Sequence, residues 1–390
     1  MKHVAQPVGG GQVRVLDVPA PVIGPAQVLV RTVASVTSPC AGRAVTAPAG
    51  SGVPARTRSG ADLPLGCSAA GVVAEVGDEV EGIAVGQLVA TGGASHAGHA
   101  EFQAVPALLC TEVPGGVPAE DAAFATLASL PLHALRLSGA GLGSKIVVIG
   151  LGLTGQVAAR LARASGCDVA GIDQDAFARQ IAAQAGVLAL DEAGDATTDQ
   201  ILAWSRGRGA DAVLVCAADS SPRPMSRVSA LCRDRAAVVM VGDVGVPSSR
   251  VPFHERELSL LFARFASPGR SDPSYEEWGI DHPVSRVCWT EGRNRQAVLQ
   301  LLASGRLRVS DLVTHSFGIG EADVAFRLLA ERTEPCLAIR LSYPAASDPP
   351  IPDRPAALRP DPAGDHRRLP AGAGQPPAGF VGNRRHAELP

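Results

Sequence analysis

Lysine is nearly missing from this 390-residue chain; it stands only at positions 2 and 145, while arginine is abundant. Lys and Arg together number 35 against 38 Asp and Glu, a net charge of −3, which excludes the dense basic surface of a nucleic-acid-binding protein. Apolar runs such as KIVVIGLGL fall far short of the ~20 residues of a membrane span, and MKHVAQPVGGG lacks the apolar core of a secretory leader. These absences predict a cytoplasmic protein with neither a membrane nor a nucleic-acid partner. The eight cysteines (Cys40, Cys67, Cys110, Cys167, Cys216, Cys232, Cys288, Cys336) never fall as CxxC, so neither a zinc knuckle nor a disulfide framework is written in the sequence. Tyrosine occurs only at 275 and 343.

What is present is an ordinary globular composition, 46% hydrophobic and 19% charged, in a chain long enough for two cores. Residues 1–120 carry short β-branched runs (QVRVLDV, QVLVRTVASV, GVVAEV, QLVATG) divided by Pro and Gly, the pattern of a β-rich domain. From about 121 the texture changes to apolar strands alternating with amphipathic helices, KIVVIG, QVAARLARA, DVAGID, ARQIAAQA, ADAVLVCAA, a helix near 223–232 and AAVVMVG, which predicts βαβ units around a parallel sheet over 121–307. Beyond a polar stretch at 266–295 come RQAVLQLLASG, LVTHSF, ADVAFRLLA and CLAIRL, with 308–344 predicted to return and complete the first domain. The last 46 residues, 345–390, hold ten prolines and almost no large apolar side chains, a composition that predicts a disordered tail.

One motif carries chemistry on its own context. Gly150-x-Gly152-x-x-Gly155 follows an apolar strand and opens a helix through Leu153 and Thr154. In such a turn the first glycine permits the tight bend, the second lets backbone approach a pyrophosphate, and the third lets helix and strand pack; the helix N-terminus offers free N–H groups to the anion. Asp173 ends the next strand, where a carboxylate receives the ribose hydroxyls and repels a 2′-phosphate, favouring NAD(H) over NADP(H). The competing reading makes Asp173 a helix cap, although Asp175 suits that role better.

The segments VPAPVIGPAQVLVRTVASV, PLGCSAAGVVAEVGDEVEGIAVGQLVA, GHAEFQAVP and GLGLTGQVAARLARASGCDVAGID together resemble the medium-chain dehydrogenase/reductase superfamily, the zinc alcohol dehydrogenase group, over roughly residues 1–344. The resemblance implies a doubly wound Rossmann domain beside a β-rich GroES-like catalytic domain, working as a homodimer. It also implies where a catalytic zinc would sit. Ser38 takes the first ligand position, with Cys40 two residues off, and Cys67 the second; AAFATLASLPLHALR offers nothing for the third except Asp121 at its edge, and the four-cysteine insert for a structural zinc is absent. A catalytic zinc needs three protein ligands. Cys40, Cys67 and His96 or His99 form the remaining conceivable set; the expectation is that there is no metal.

SPGRSDPSYEEWGIDHPVSRVCWTEGRNRQAV resembles a zinc-lacking subgroup associated with sugar, polysaccharide and cyclitol biosynthesis, departing from its pattern at Ser271 and Cys67. The segment concentrates Arg270, Glu276, Asp281, Trp289, Arg293 and Asn294, suited to gripping a small hydroxyl-rich substrate, with Arg270 and Arg293 able to receive a phosphate; the bland alternative is a solvated loop of paired charges. Tyr275 and His99 are the candidate proton donors. The expected function is reduction of a cyclitol or sugar-derived ketone, with reduction of a C=C bond conjugated to a carbonyl and cofactor binding without turnover as the alternatives. Purified protein is expected to hold much less than one zinc per chain by elemental analysis, and stoichiometric zinc lost together with activity on mutating Cys67 would overturn the reading.

Overall fold

In the computed structural model of the chain, the described residues are 1–7, 11–39, 62–94, 96–194, 196–218, 221–246, 249–264 and 267–344. All lie within one compact unit, Met1–Arg354. Cys40 and the proline-rich tail from 345 fall outside the described residues.

A small sheet near the chain start has β1 (Lys2–Gln6) between β2 (Arg14–Asp17) and β4 (Leu63–Pro64), both antiparallel to it. The larger of the two non-parallel sheets turns on β3 (Gln27–Thr37), whose eleven residues pair antiparallel with β5 (Ser68–Val76). Outward from β5 lie β6 (Leu88–Gly92) and β8 (Cys110–Glu112), and β7 (Phe102–Pro106) pairs with the first half of β3. The other half of that edge is filled from the far end of the chain by β16 (Ala338–Ser342), in the register Ile339 to Thr37 and Ser342 to Ala34, with β15 (Val313–Gly318) parallel beyond it. The CLAIRL segment therefore does pair with the first part of the chain.

The third sheet is wholly parallel. Its six strands, β9 (Lys145–Ile149), β10 (Asp168–Asp173), β11 (Leu188–Asp191), β12 (Ala210–Val215), β13 (Cys232–Met240) and β14 (Ser259–Phe262), stand in the order β11-β10-β9-β12-β13-β14. This is the 3-2-1-4-5-6 order of the dinucleotide-binding fold, and its strand order reverses between β9 and β12. KIVVI and ADAVLV read as unbroken apolar strands because helices cover both faces, burying Ile146 and Leu214 on one and Val147 and Val213 on the other. The covering helices include α1 (Ala125–Leu137), α2 (Leu153–Ala164), α3 (Ala176–Gln184) and α4 (Glu291–Ala303); α5 (Ala322–Glu331) packs instead with Val4, Ile339 and Leu341. The helix expected near 223–232 is only a 3-10 turn, Arg223–Met225, and a four-residue helix, Val228–Leu231, because Cys232 already begins β13. Strand β14 was not anticipated, its four residues being too short for a periodicity signal.

Candidate active site

The crevice of a doubly wound sheet opens at the carboxyl ends of its strands where their order reverses. Gly150 stands there at φ +88°, and a Cβ on it would lie 2.5 Å from the backbone nitrogen of Ala217, just past β12. The turn and the strand end thus touch across the switch point, which only glycine permits. Five residues on, a Cβ at Gly155 would lie 1.8 Å from the Gly150 carbonyl oxygen, so this glycine lets α2 settle on the turn. Gly152 differs: a Cβ there would meet nothing within 4 Å. It caps α2 with no side-chain bond, leaving Leu153, Thr154 and Gly155 to present first-turn N–H groups to an anion.

Asp173 closes the cradle. One carboxylate oxygen accepts from Leu151 N–H at 2.5 Å and the other from Asp175 N–H at 2.8 Å, so it braces the glycine turn while each oxygen keeps a lone pair for a ribose hydroxyl. Asp175 is the cap of α3, accepting from Phe177 N–H at 2.9 Å. Arg179 bonds the carbonyls of Asp173 and Gln174 and pairs with Asp191 at 2.9 Å. A pyrophosphate-and-ribose ligand fits this set of glycines, free N–H groups and carboxylate.

The two candidate proton donors are both enclosed. Tyr275 is 1% exposed among Val28, Val89, Val105 and Leu109; its hydroxyl donates to Leu108 C=O at 3.3 Å and accepts from Gly292 N–H at 3.2 Å, while its ring packs under Gly269. The structure makes it a buttress rather than a donor facing substrate. His99 is fully buried, with Nδ1 2.7 Å from Ser35 Oγ, which in turn lies 2.7 Å from the Tyr343 hydroxyl, and Phe326 meets its ring edge-on at 5.8 Å. Burial, aided by nearby His3, pulls the imidazole down to about 4, so at neutral pH it holds no exchangeable positive charge. Its Nδ1 faces Ser35 while Nε2 is buried without a partner; among the described residues, which do not include Cys40, no three His, Cys, Asp or Glu side chains gather as a metal site.

The polar segment is likewise knitted to itself and to the interior. Arg293 pairs with Asp281 at 2.5 Å and bonds the carbonyls of Val287 and His282, closing the 281–288 loop; neither charge stands free for a phosphate. Asn294 is fully buried, accepting from Arg136 at 2.9 Å and donating to Ser267 Oγ at 2.9 Å. Trp289 lies under the Arg136 guanidinium, 3.2 Å from carbon to ring centroid. In this structure Asp281, Arg293 and Asn294 are engaged with one another's loop and with the interior, while Trp289, under Arg136, stays 40% exposed. Arg270 and Glu276 also pair with each other, but beside Gly93, at the end of β6. Two residues outside the predicted site set matter more. Glu291 and Arg295, four apart on α4, are 2% and 0% exposed; Glu291 accepts from Ser129 Oγ and Ser267 N–H, and Arg295 reaches Thr111 and the Leu108 carbonyl. Their i,i+4 spacing was visible in TEGRNR, their burial was not.

Residues 154–272 match the family model "Zinc-binding dehydrogenase". The chain is 26% identical over 227 residues to 2-dehydro-3-deoxy-L-galactonate 5-dehydrogenase of Pseudoalteromonas atlantica, covering 51% of this chain and 66% of that protein. It is 26% identical over 302 residues to sorbitol dehydrogenase 2 of Saccharomyces cerevisiae, covering 68% and 78%. Among solved structures, galactitol-1-phosphate dehydrogenase from Escherichia coli superposes with a TM-score of 0.72 at 19% identity over 88% of this chain and 100% of that one, a likeness of fold.

Two outcomes follow from this geometry. Gly155→Ala should lower thermal stability, whereas Gly152→Ala should fold normally and weaken NADH binding, measured by melting and by cofactor fluorescence; a stable Gly155→Ala with unchanged binding would contradict the close approach. Because the folded state holds the His99 proton less tightly than an unfolded chain, with its ordinary value of 6.5, the stability from His99 is full above pH 6.5 and is lost progressively down to about pH 4. Equilibrium unfolding should show a loss of about 3 kcal/mol across that window, and His99→Asn should flatten it; an unchanged slope in the variant would count against the assignment.

Proposed function

We propose that this chain, an alcohol dehydrogenase-like member of the medium-chain dehydrogenase/reductase superfamily, is a zinc-independent NAD(H)-dependent oxidoreductase that reduces a small polar cyclitol or sugar-derived ketone in a biosynthetic pathway. The observation that carries it is the Gly150–Gly155 turn at the β9/β12 switch point with Asp173 bracing it. Names among the relatives, the galactonate 5-dehydrogenase, sorbitol dehydrogenase 2 and galactitol-1-phosphate dehydrogenase, support a hydroxylated substrate, phosphorylated or not. The catalytic domain is read as 1–120 with 308–344, the cofactor domain as 121–307, and the protein as a cytoplasmic homodimer; no described helix is long and apolar enough to cross a membrane.

Bound NAD(H) would supply the hydride. The α2 N-terminus holds its pyrophosphate, Gly152 admits it, and Asp173 accepts from the adenosine ribose. Arg179, committed to two carbonyls and Asp191, does not offset the repulsion a 2′-phosphate would meet at Asp173. Zinc independence rests on Ser38 and Cys67 at the first two ligand positions and on the missing four-cysteine insert. With Tyr275 and His99 enclosed, the proton reaches the substrate oxygen from water or a substrate hydroxyl.

NADH should bind at least tenfold more tightly than NADPH, a difference of about 1.4 kcal/mol, and Asp173→Ser should shrink that margin. Equal affinity in the unmodified protein would remove the cofactor assignment, and a product-resolved assay over polyols, keto-cyclitols and enones reads the reaction itself.

A further inference from the structure

The Ser267–Ser271 turn leaves the parallel sheet at the carboxyl end of β14, the edge on which Gly150 and Ala217 also lie. Two of its residues have positive φ: Gly269 at +102° and Ser271 at +62°. Ser271 has a side chain, so its left-handed conformation costs of order 1 kcal/mol or more and persists only because its surroundings hold it. The surroundings are explicit. Glu291 accepts from Ser267 N–H at 3.0 Å, Asn294 donates to Ser267 Oγ, and the Tyr275 ring packs under Gly269. The residue this scaffolding aims is Arg270.

Arg270 lies against Gly93, where a Cβ would fall 3.0 Å from the guanidinium carbon; Gly93 in turn donates to the Cys67 carbonyl at 3.0 Å. The guanidinium therefore spans from the cofactor side of the molecule to the wall of the antiparallel sheet. Its Nη1 binds Glu276 Oε1, which also accepts from Ser271 N–H at 2.9 Å. Among the described residues no bond is recorded to Arg270 Nε and Nη2 or to Glu276 Oε2, and the two side chains are 14% and 13% exposed. A donor and an acceptor thus stand side by side, fixed, mostly dry and at the edge of the crevice.

We propose that Arg270 and Glu276 are the specificity pair of the substrate site, recognising two oxygens on neighbouring carbons: Arg270 donates to the oxygen of the carbonyl or alcohol that reacts, and Glu276 accepts from the adjacent hydroxyl. The substrate class is an α-hydroxyketone and the vicinal diol it interconverts with. Ser267, Tyr275, Glu291 and Asn294 are positioning residues for the pair. This rests on the dehydrogenase reading for its reaction, but not for its binding chemistry. A buried donor–acceptor pair rejects an analogue lacking the second hydroxyl, because one partner then stays unpaired out of water.

The test uses the full chain with NAD⁺ present and ligand-observed NMR to compare cyclohexane-1,2-diol with cyclohexanol. The parent should bind the diol at least tenfold more tightly, and both Arg270→Met and Glu276→Gln should remove most of that margin while melting temperature and cofactor affinity stay put. Glu276→Gln keeps an acceptor for Ser271 N–H and guards against simple unfolding. No diol preference in the parent, or a preference both variants retain, overturns the proposal. Cofactor affinity is read in the same samples, so its absence would sink the dehydrogenase reading while the diol comparison still decides the pair.

Discussion

The buried pair of Glu291 and Arg295 is the constraint on which the site depends. Both are taken out of water on one turn of α4, with Arg295 Nη1 3.7 Å from Glu291 Oε1. Each also reaches elsewhere: Glu291 to α1 through Ser129 and to the turn after β14 through Ser267 N–H, Arg295 to Thr111 in β8 and to the Leu108 carbonyl. Removing one member would leave the other charged and unpaired in the interior, a cost of about 3–5 kcal/mol, whereas removing both for apolar groups need not destabilise at all. What the pair secures is position. Helix α4, helix α1, the antiparallel sheet and the Arg270 turn are held to one another through two side chains. Arg295 also explains Gly92, where a Cβ would lie 2.6 Å from its Nη1.

Seen from that clamp, the charged segment at 268–294 has a division of labour. Most of its members are tied to one another, and one pair keeps bonding capacity to spare. Arg293 and Asp281 close a loop, Arg136 stacks on Trp289, and Tyr275 carries Gly269. Arg270 and Glu276 combine partial exposure with bonding capacity to spare, beside Gly93 at the end of β6. The same logic governs the glycine turn, where Gly150 and Gly155 answer to packing and Gly152 alone to open space.

Much of the fold was legible because it rests on periodicity. The βαβ alternation, the glycine turn after KIVVIG and Asp175 as a cap follow from local pattern, and all appear. The site was less legible, for a physical reason. Residue type shows what a side chain can bond but not whether the fold has already bonded it. Tyr275 and His99 carried the right chemistry for proton transfer, yet the fold encloses both, bonding the Tyr275 hydroxyl to the Leu108 carbonyl and His99 Nδ1 to the Ser35 hydroxyl. These partners lie 167 and 64 residues away in sequence, beyond any spacing rule.

Strand β16 lies between β15 and β3, and its partner on β3 was made some three hundred residues earlier. While the chain is being synthesised, the Ala34–Thr37 edge of β3 therefore stays open until β16, the last strand among the described residues, has left the ribosome. Such an edge is a template for any extended segment, including the same segment of a neighbouring chain. The β9–β14 strands are all made by residue 262 and the α4 helix that covers them by residue 303, so the parallel sheet and its cover are both complete before β16 emerges. Closure of that distant pair carries the loop entropy of some three hundred residues, and truncation just before Leu337 would leave a parallel sheet attached to an unfinished antiparallel one.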